Sequence, residues 1–192
     1  MWPWGHAAVG YLLYSPLVRL WRGRTPAASE VLALGIGTQL PDLVDKPLAW
    51  VFGVFPQGYS VAHSVFVAVP VGVAVAALAA RRDRPALGVA LTLGYWSHLV
   101  ADVGFALAVG EPRPAARVLW PLVTLPAYGT TFTAGERITY YLARWLAYLQ
   151  SSAGLLAVLA YLSPLVAALA LWALDGAPGL PVGGRSDRRP GD

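Results

Sequence analysis

Residues 86–109 read ALGVALTLGYWSHLVADVGFALAV and hold a single charged residue, Asp102. An α-helix needs about 20 apolar residues to cross the hydrocarbon core of a bilayer, and this stretch is long enough. Residues 61–80 and 146–174 are also long and carry no charge. Backbone amides in lipid must be satisfied within the segment, so helices are the expected spanning form. The pattern predicts an all-α protein, a polytopic membrane helical bundle with about three clear spans.

The composition also indicates a membrane protein. The chain is 57% hydrophobic and 12% charged, whereas a soluble domain has about twice that charged fraction. It has no cysteine, which excludes disulfides, iron–sulfur clusters and thiolate zinc sites. Its net charge of +4 comes from arginines, which we interpret as flanking membrane spans. No direct nucleic-acid binding is therefore expected.

Two shorter apolar segments, 5–20 and 28–55, precede the clear spans. The second is interrupted at 41–47 by PDLVDKP. Because proline removes a helical hydrogen bond, we expect two half-helices that meet at a polar break. Each of the two segments either crosses the membrane or is re-entrant.

The C-terminal part has an amphipathic pattern at helical spacing over residues 135–150. We expect this helix to continue into the last span. Residues 177–192 form a polar tail that we expect to be disordered. The membrane-embedded domain therefore comprises residues 1–176.

The three histidines, His6, His63 and His98, each lie in or beside an apolar segment. An ionisable group in such a place is costly and usually functional. His98 and Asp102 are four residues apart, which places them on one face of a helix, where they can share a metal ion. The alternative is a hydrogen bond between them that merely neutralises a buried carboxylate.

Two further aspartates, Asp42 and Asp45, lie in the expected helix break. Such a break can aim side chains into a cavity at membrane depth. The alternative is an aqueous loop with an N-cap aspartate, in which Lys46 pairs with Asp45. Histidines and carboxylates together form a donor set suited to Zn²⁺ and acceptable to Mn²⁺ or Fe²⁺. A nucleophilic Ser64 is disfavoured, because its surroundings lack the nucleophile-elbow pattern.

One ordered set of motifs, spread over roughly residues 4–125, is typical of a known family. In chain order the motifs are His6, Pro41-Asp42, His63-Ser64, His98-x-x-x-Asp102 and Trp120-Pro121. The set resembles the YdjM-like, LexA-binding, inner-membrane-associated family of predicted metal-dependent hydrolases. That family is distantly similar to zinc-dependent phospholipase C and the P1-type nucleases.

The resemblance implies a divalent metal cofactor, expected to be zinc, with one or two ions. It implies that one ion is bound by Asp42, His63, His98 and Asp102. His6 would bind a neighbouring ion bridged by Asp102. Gly58 and Phe105 stand where the family often has histidine and threonine.

The expected function is metal-dependent hydrolysis of a phosphoester or another ester of a lipid or membrane-associated substrate. Asp45 is predicted either to support the metal site from behind or to act as the catalytic general base. Arg113 or Arg117 is a candidate for holding an anionic headgroup. Two other classes stay open. One is a non-enzymatic membrane protein whose structural metal site recruits a partner, LexA-like by resemblance alone. The other is a transporter or proton relay.

The orientation follows from the arginines, since basic residues in short loops mark the cytoplasmic side. The turn at 81–84 carries three arginines, and the tail carries Arg185, Arg188 and Arg189. With both inside, the metal site of this multi-pass inner-membrane protein is predicted to face away from the cytoplasm.

Overall fold

A computed structural model of the chain describes residues 1–129 and 131–180. Within these residues the chain forms six α-helices and one 3₁₀ turn, with no strand. In chain order they are α1 (Pro3–Arg22), α2 (Ala28–Trp50), α3 (Val65–Ala80), α4 (Pro85–Ala108), the 3₁₀ turn (Pro114–Val118), α5 (Ala134–Leu149) and α6 (Ser152–Leu174). The all-α prediction is confirmed.

Helix α4 is the centre of the fold and packs against α1, α2 and α3. Among the described helices it alone is long and apolar enough to cross a bilayer, with 24 residues. Its apolar stretch is 61% buried inside the protein, so the same helix forms much of the core. Helix α3 and residues Leu162–Leu174 of α6 are apolar but shorter.

Helix α2 is continuous through Pro41 and Pro47, so the predicted break into two half-helices is wrong. A proline removes one backbone donor but keeps a helical φ angle. Helix α2 packs extensively against α4, and their backbones touch where Gly37 faces the Leu91 carbonyl group. We attribute the continuity of α2 to this packing, which outweighs the lost hydrogen bonds.

The other helix boundaries follow local capping signals. Helix α3 starts only at Val65, since the Ser64 hydroxyl accepts a hydrogen bond from Phe66 N, a typical N-cap. Helices α5 and α6 are separate, contrary to the prediction that one continues into the other. Ser151 lies between them and caps Gly154 N at 2.9 Å. Of the predicted tail, residues 181–192 lie outside the described part of the chain.

Helix α6 is tied to α1 through Asp175, which follows its last turn. The hydroxyls of Tyr11 and Ser15 both donate to Asp175 Oδ2 at 2.6 Å. Arg19 donates from Nε to Asp175 Oδ1 at 3.0 Å. The single acid at the end of the last apolar segment thus fixes the position of α6.

Candidate metal centre

The sequence-predicted site residues converge at one end of the bundle. This end gathers the N-terminus of α1, the C-terminal half of α2, the turn before α3 and the C-terminal half of α4. The histidines and aspartates at this end are His6, Asp42, Asp45, His63, His98 and Asp102. The three histidines are fully buried, and the side chains of Asp102 and Asp42 are only 2% and 11% exposed. Helix α2 reaches the site as a regular helix, without the predicted break.

The imidazoles of His63 and His98 are each hydrogen-bonded through Nδ1, and their Nε2 atoms face each other. His63 Nδ1 lies 2.8 Å from Asp45 Oδ2, and His98 Nδ1 lies 2.7 Å from the Thr38 carbonyl oxygen. Both partners accept hydrogen bonds, so each Nδ1 donates, and a neutral ring then has a lone pair on Nε2. The two Nε2 atoms are 3.2 Å apart. Two facing lone pairs repel unless a proton or a cation lies between them.

Two carboxylates complete the surroundings of this nitrogen pair. Asp42 Oδ1 lies 3.5 Å from His63 Nε2 and 3.7 Å from His98 Nε2. Asp102 Oδ2 lies 3.7 and 3.5 Å from the same two atoms. In a tetrahedral zinc site with bonds of about 2.0–2.1 Å, neighbouring ligand atoms are about 3.3 Å apart. The donor types, and the spacings among Asp42, His63 and His98, therefore fit a zinc ion.

His6 forms a second group with the other oxygen of Asp102. Its Nε2 lies 3.5 Å from Asp102 Oδ1, and its ring stacks on His98 with centroids 3.7 Å apart. Neither ring nitrogen of His6 has a hydrogen-bond partner among the described residues, which is unusual for a fully buried side chain. The Met1 amino group also lies 3.0 Å from Asp102 Oδ1. The two oxygens of Asp102 thus face different histidines.

Asp45 lies behind His63 and is itself fully buried. Besides the imidazole it accepts backbone hydrogen bonds from Ser60 at 2.8 Å, Ala62 at 3.0 Å and His63 at 3.0 Å. Its oxygens are therefore occupied by groups that position the loop before α3. Of the two roles predicted for Asp45, these contacts favour orienting His63 over acting as a general base.

The neighbouring polar groups have defined partners. Lys46 forms an ion pair with Asp42, not with Asp45 as the aqueous-loop alternative had it. The Ser64 hydroxyl donates to the Trp120 carbonyl oxygen while it caps α3. These contacts give Ser64 a structural role.

A basic and aromatic group lies next to His63. The Tyr59 ring meets the His63 ring edge-on, with centroids 4.9 Å apart, and the Arg117 guanidinium lies 4.6 Å from the Tyr59 ring centroid. Arg117 also pairs with Glu111. Burial, followed by the charge of Asp102, raises the pKa of the Tyr59 phenol, so the hydroxyl stays protonated. Arg117, rather than the exposed Arg113, is thus the predicted arginine that lies beside the site.

Sequence reasoning missed Thr38 and Tyr59. Thr38 contributes a backbone carbonyl group, which any residue could supply, so its identity gives no signal. Tyr59 lies four residues before His63 in a loop, and nothing in the pattern distinguishes it from a packing aromatic.

The fold and the site define a helical protein with an apolar central helix and a buried cluster of histidines and aspartates. The chain belongs to the YdjM inner membrane protein family, whose sequence model matches residues 1–175. The match confirms the YdjM part of the resemblance and the association with the membrane. The similarity to phospholipase C and the nucleases stays a prediction. No curated protein and no solved structure matches the chain significantly.

Proposed function

We propose that the chain is a membrane-bound, metal-dependent hydrolase that binds one or two zinc ions. The observation that carries this proposal is the pair of imidazoles at His63 and His98. Their Nε2 atoms are 3.2 Å apart, both rings are anchored through Nδ1, and carboxylates flank the gap. A hydrogen bond behind each ligating imidazole is what metal sites require to fix the ring and its tautomer.

Each residue of the site has a proposed role. His63, His98, Asp42 and Asp102 hold the first ion, and Asp45 and the Thr38 carbonyl group orient the two rings. His6 and Asp102 Oδ1 offer donors for a second ion. A bound zinc ion would lower the pKa of its water to about 7 and would polarise an ester oxygen.

The substrate we propose is a phosphoester or another ester of a lipid or membrane-associated molecule. Two features support an anionic substrate beside the cluster. Lys46 neutralises the outer oxygen of Asp42, which reduces the negative charge that an anion would meet. Arg117 lies beside Tyr59 next to His63, and a guanidinium group binds phosphate oxygens well.

A second candidate function is a structural metal site. It is favoured by burial, because a site closed by four protein ligands is typical of structural zinc. Such an ion would join α2, α4 and the turn before α3, and a protein partner would then bind elsewhere on the surface. Retention of metal without hydrolysis of any ester tested would support this candidate.

The finer topology is also part of the proposal: a multi-pass bundle in the inner membrane with the cluster facing away from the cytoplasm. Helix α4 begins after the arginine-rich turn and reaches Asp102 after 17 residues, about 26 Å further along the axis. Arg22 and Arg24 lie near that turn, since they line one cleft with Arg84. Basic residues gathered at the end remote from the cluster favour a cytoplasmic location for that end.

Metal content of the purified protein tests the site. We expect one or two zinc ions per chain by inductively coupled plasma mass spectrometry, and loss of most of the metal in His98→Ala and Asp102→Asn. Asp83→Asn makes the same chemical change in the exposed turn before α4 and should leave metal content unchanged. Full occupancy in both site variants would exclude the proposed ligands. Absorption bands of a Co²⁺-loaded sample, altered in Asp102→Asn, would show that a variant with residual metal has a changed site.

Hydrolysis is tested separately on the metal-loaded protein, with phosphodiester, phosphomonoester and carboxyl-ester lipids in mixed micelles. Release of product by wild type and its loss in His98→Ala are expected. Metal-loaded protein that hydrolyses none of these lipids would exclude the proposed lipid esterase activity.

Orientation is tested by single cysteines in this cysteine-free chain. We expect Val54→Cys, exposed in the loop before α3, to react with an impermeant maleimide in intact cells. Arg82→Cys, exposed in the arginine-rich turn, should react only after lysis. The reverse pattern would place the cluster on the cytoplasmic side.

A further inference from the structure

Helix α5 is a short amphipathic helix whose apolar face is covered by the rest of the described chain only at Trp145. Ile138, Leu142 and Trp145 recur at spacings of four and three, which places them on one face. Ile138 is 51% exposed and Leu142 is 40% exposed. A contiguous exposed apolar face of this kind marks a surface for a protein partner or a membrane.

The first half of α5 is attached to the metal-centre end of the bundle through Arg137. Its guanidinium group lies 4.0 Å from the Tyr128 ring centroid, a cation–π contact. The Tyr128 hydroxyl accepts hydrogen bonds from Gly58 N at 3.1 Å and Trp50 Nε1 at 3.2 Å. Gly58 lies in the loop that leads to His63, so this anchor is on one side of the cluster.

The second half of α5 is attached through Trp145 on the side of α1. The Trp145 ring meets those of Trp2 and Trp4 edge-on, at centroid distances of 5.8 and 6.0 Å. Trp2 and Trp4 stack on each other at 5.0 Å, immediately before His6 in the chain. The two anchors therefore hold α5 at the end of the bundle that carries the metal centre.

We propose that α5 lies along the membrane surface on the side of the metal centre, with its apolar face inserted between lipid headgroups. Its 16 residues extend over about 24 Å, less than the about 30 Å of the hydrocarbon core. It carries Glu136, Arg137 and Arg144, which makes a central position in the bilayer costly. An amphipathic helix with arginines and tryptophan is suited to the interface instead.

The aromatic residues around α5 support the bilayer as the occupant of this face. Tryptophan and tyrosine are enriched at the level of the headgroups, where their rings are partly apolar and partly polar. The three clustered tryptophans and the exposed Tyr141 and Tyr148 form such a group. The chain also belongs to an inner membrane protein family, so a bilayer is available to cover this surface. The inference goes beyond the proposed hydrolysis and does not depend on it.

The experiment measures the depth of single fluorophores in the full-length protein, reconstituted into vesicles of phosphatidylethanolamine and phosphatidylglycerol. An environment-sensitive nitrobenzoxadiazole label is placed at Leu142→Cys on the apolar face. The matched control is Ala143→Cys, which is exposed and lies about 100° around the helix axis from Leu142, outside the apolar face. Val100→Cys, exposed on the apolar helix α4, serves as the reference for a label inside the bilayer. Quenching by lipids brominated at shallow or deep chain positions reports the depth.

We expect the label at 142 to be blue-shifted and quenched more by shallow than by deep bromines, and the label at 143 to emit as in water. Three results would overturn the proposal. Water-like emission at both positions would place α5 outside the membrane. Deep quenching at 142 equal to that at Val100→Cys would mean that α5 enters the core. A blue shift at 142 that is lost when the protein is diluted with lipid would assign the face to a second copy of the chain.

Discussion

One added methyl group at Gly37 should separate α2 from α4 and weaken both the fold and the metal centre. A Cβ atom there would lie 2.2 Å from the Leu91 carbonyl oxygen and 3.0 Å from the Tyr95 backbone nitrogen. Both are backbone atoms of α4, so no side-chain rotation relieves the contact. To restore an ordinary contact of 3.4 Å or more, the two helices must move apart by about 1 Å.

A shift of this size is large compared with the tolerance of the site. Asp42 follows Gly37 on α2, and its Oδ1 lies 3.7 Å from His98 Nε2 on α4. Two ligands on opposite sides of a zinc ion are at most about 4.2 Å apart, given bonds of about 2.0–2.1 Å. An increase of about 1 Å exceeds this limit, and it also withdraws the Thr38 carbonyl group from His98. We expect Gly37→Ala to lose most of its metal and about 1–3 kcal/mol of folding free energy.

The assay compares Gly37→Ala with Gly35→Ala in detergent, by metal content after dialysis and by thermal unfolding followed by circular dichroism. Gly35 lies on the same helix, and a Cβ atom there would meet no atom of the described part of the chain within 4 Å. Gly35→Ala should therefore keep its metal and unfold at the same or a higher temperature, because alanine favours helix more than glycine by about 1 kcal/mol. If both variants retain metal and stability equally, α2 and α4 are not in close contact at Gly37, and the reasoning is wrong. The unfolding measurement tests the packing even if wild type carries no metal.

Three further predictions concern single side chains. His6→Ala should leave one zinc ion per chain where wild type carries two, because His63 and His98 are intact. Mass spectrometry of the metal content would detect this change, and loss of both ions would contradict the prediction. Asp45→Ala should weaken zinc affinity about 10–100-fold, measured by competition with a chelator, since the ring of His63 loses its orienting partner; unchanged affinity would exclude that role. Asp175→Asn should lower the free energy of unfolding by about 1–3 kcal/mol relative to wild type, because one carboxylate oxygen accepts hydrogen bonds from two buried hydroxyls. A variant as stable as wild type would show that this link between α1 and α6 is unimportant.

The helices that depend on local signals could be predicted from the sequence. Residues 86–109 and 146–174 are predicted as apolar helices. Helix α4 covers nearly all of the first stretch, and α6 covers the second from Ser152 onward. That His98 and Asp102 lie on one face of the helix follows from their spacing of four residues. His98 Nε2 lies 3.5 Å from Asp102 Oδ2. These features depend on helix periodicity, which a single sequence expresses directly.

The features that depend on contacts between helices could not be predicted. The prolines of α2 favour a break locally, and only packing against α4 explains why the helix continues. Three partners of Asp175 lie on α1, more than 150 residues earlier, and no local pattern pairs them with it. The convergence of the ligands was expected from the resemblance to a family, not from the residues alone. The second anchor of the histidine pair, a backbone carbonyl group, has no signature in sequence.

The hydrolytic and the structural proposals share most of their residues, and they differ at His6. A structural zinc ion needs four donors, which the proposed ligands Asp42, His63, His98 and Asp102 would provide, and it would have no need of a further imidazole. Yet His6 is fully buried, and within residues 1–129 and 131–180 neither of its ring nitrogens is hydrogen-bonded. Burying such a polar group without a partner costs free energy. A fold that gained only a structural ion would be more stable with an apolar side chain there. The position of His6, 3.5 Å from the Asp102 oxygen that faces away from the other two histidines, is better explained by a second ion with few protein ligands. An ion of that kind keeps positions for water and substrate, which is what hydrolysis requires.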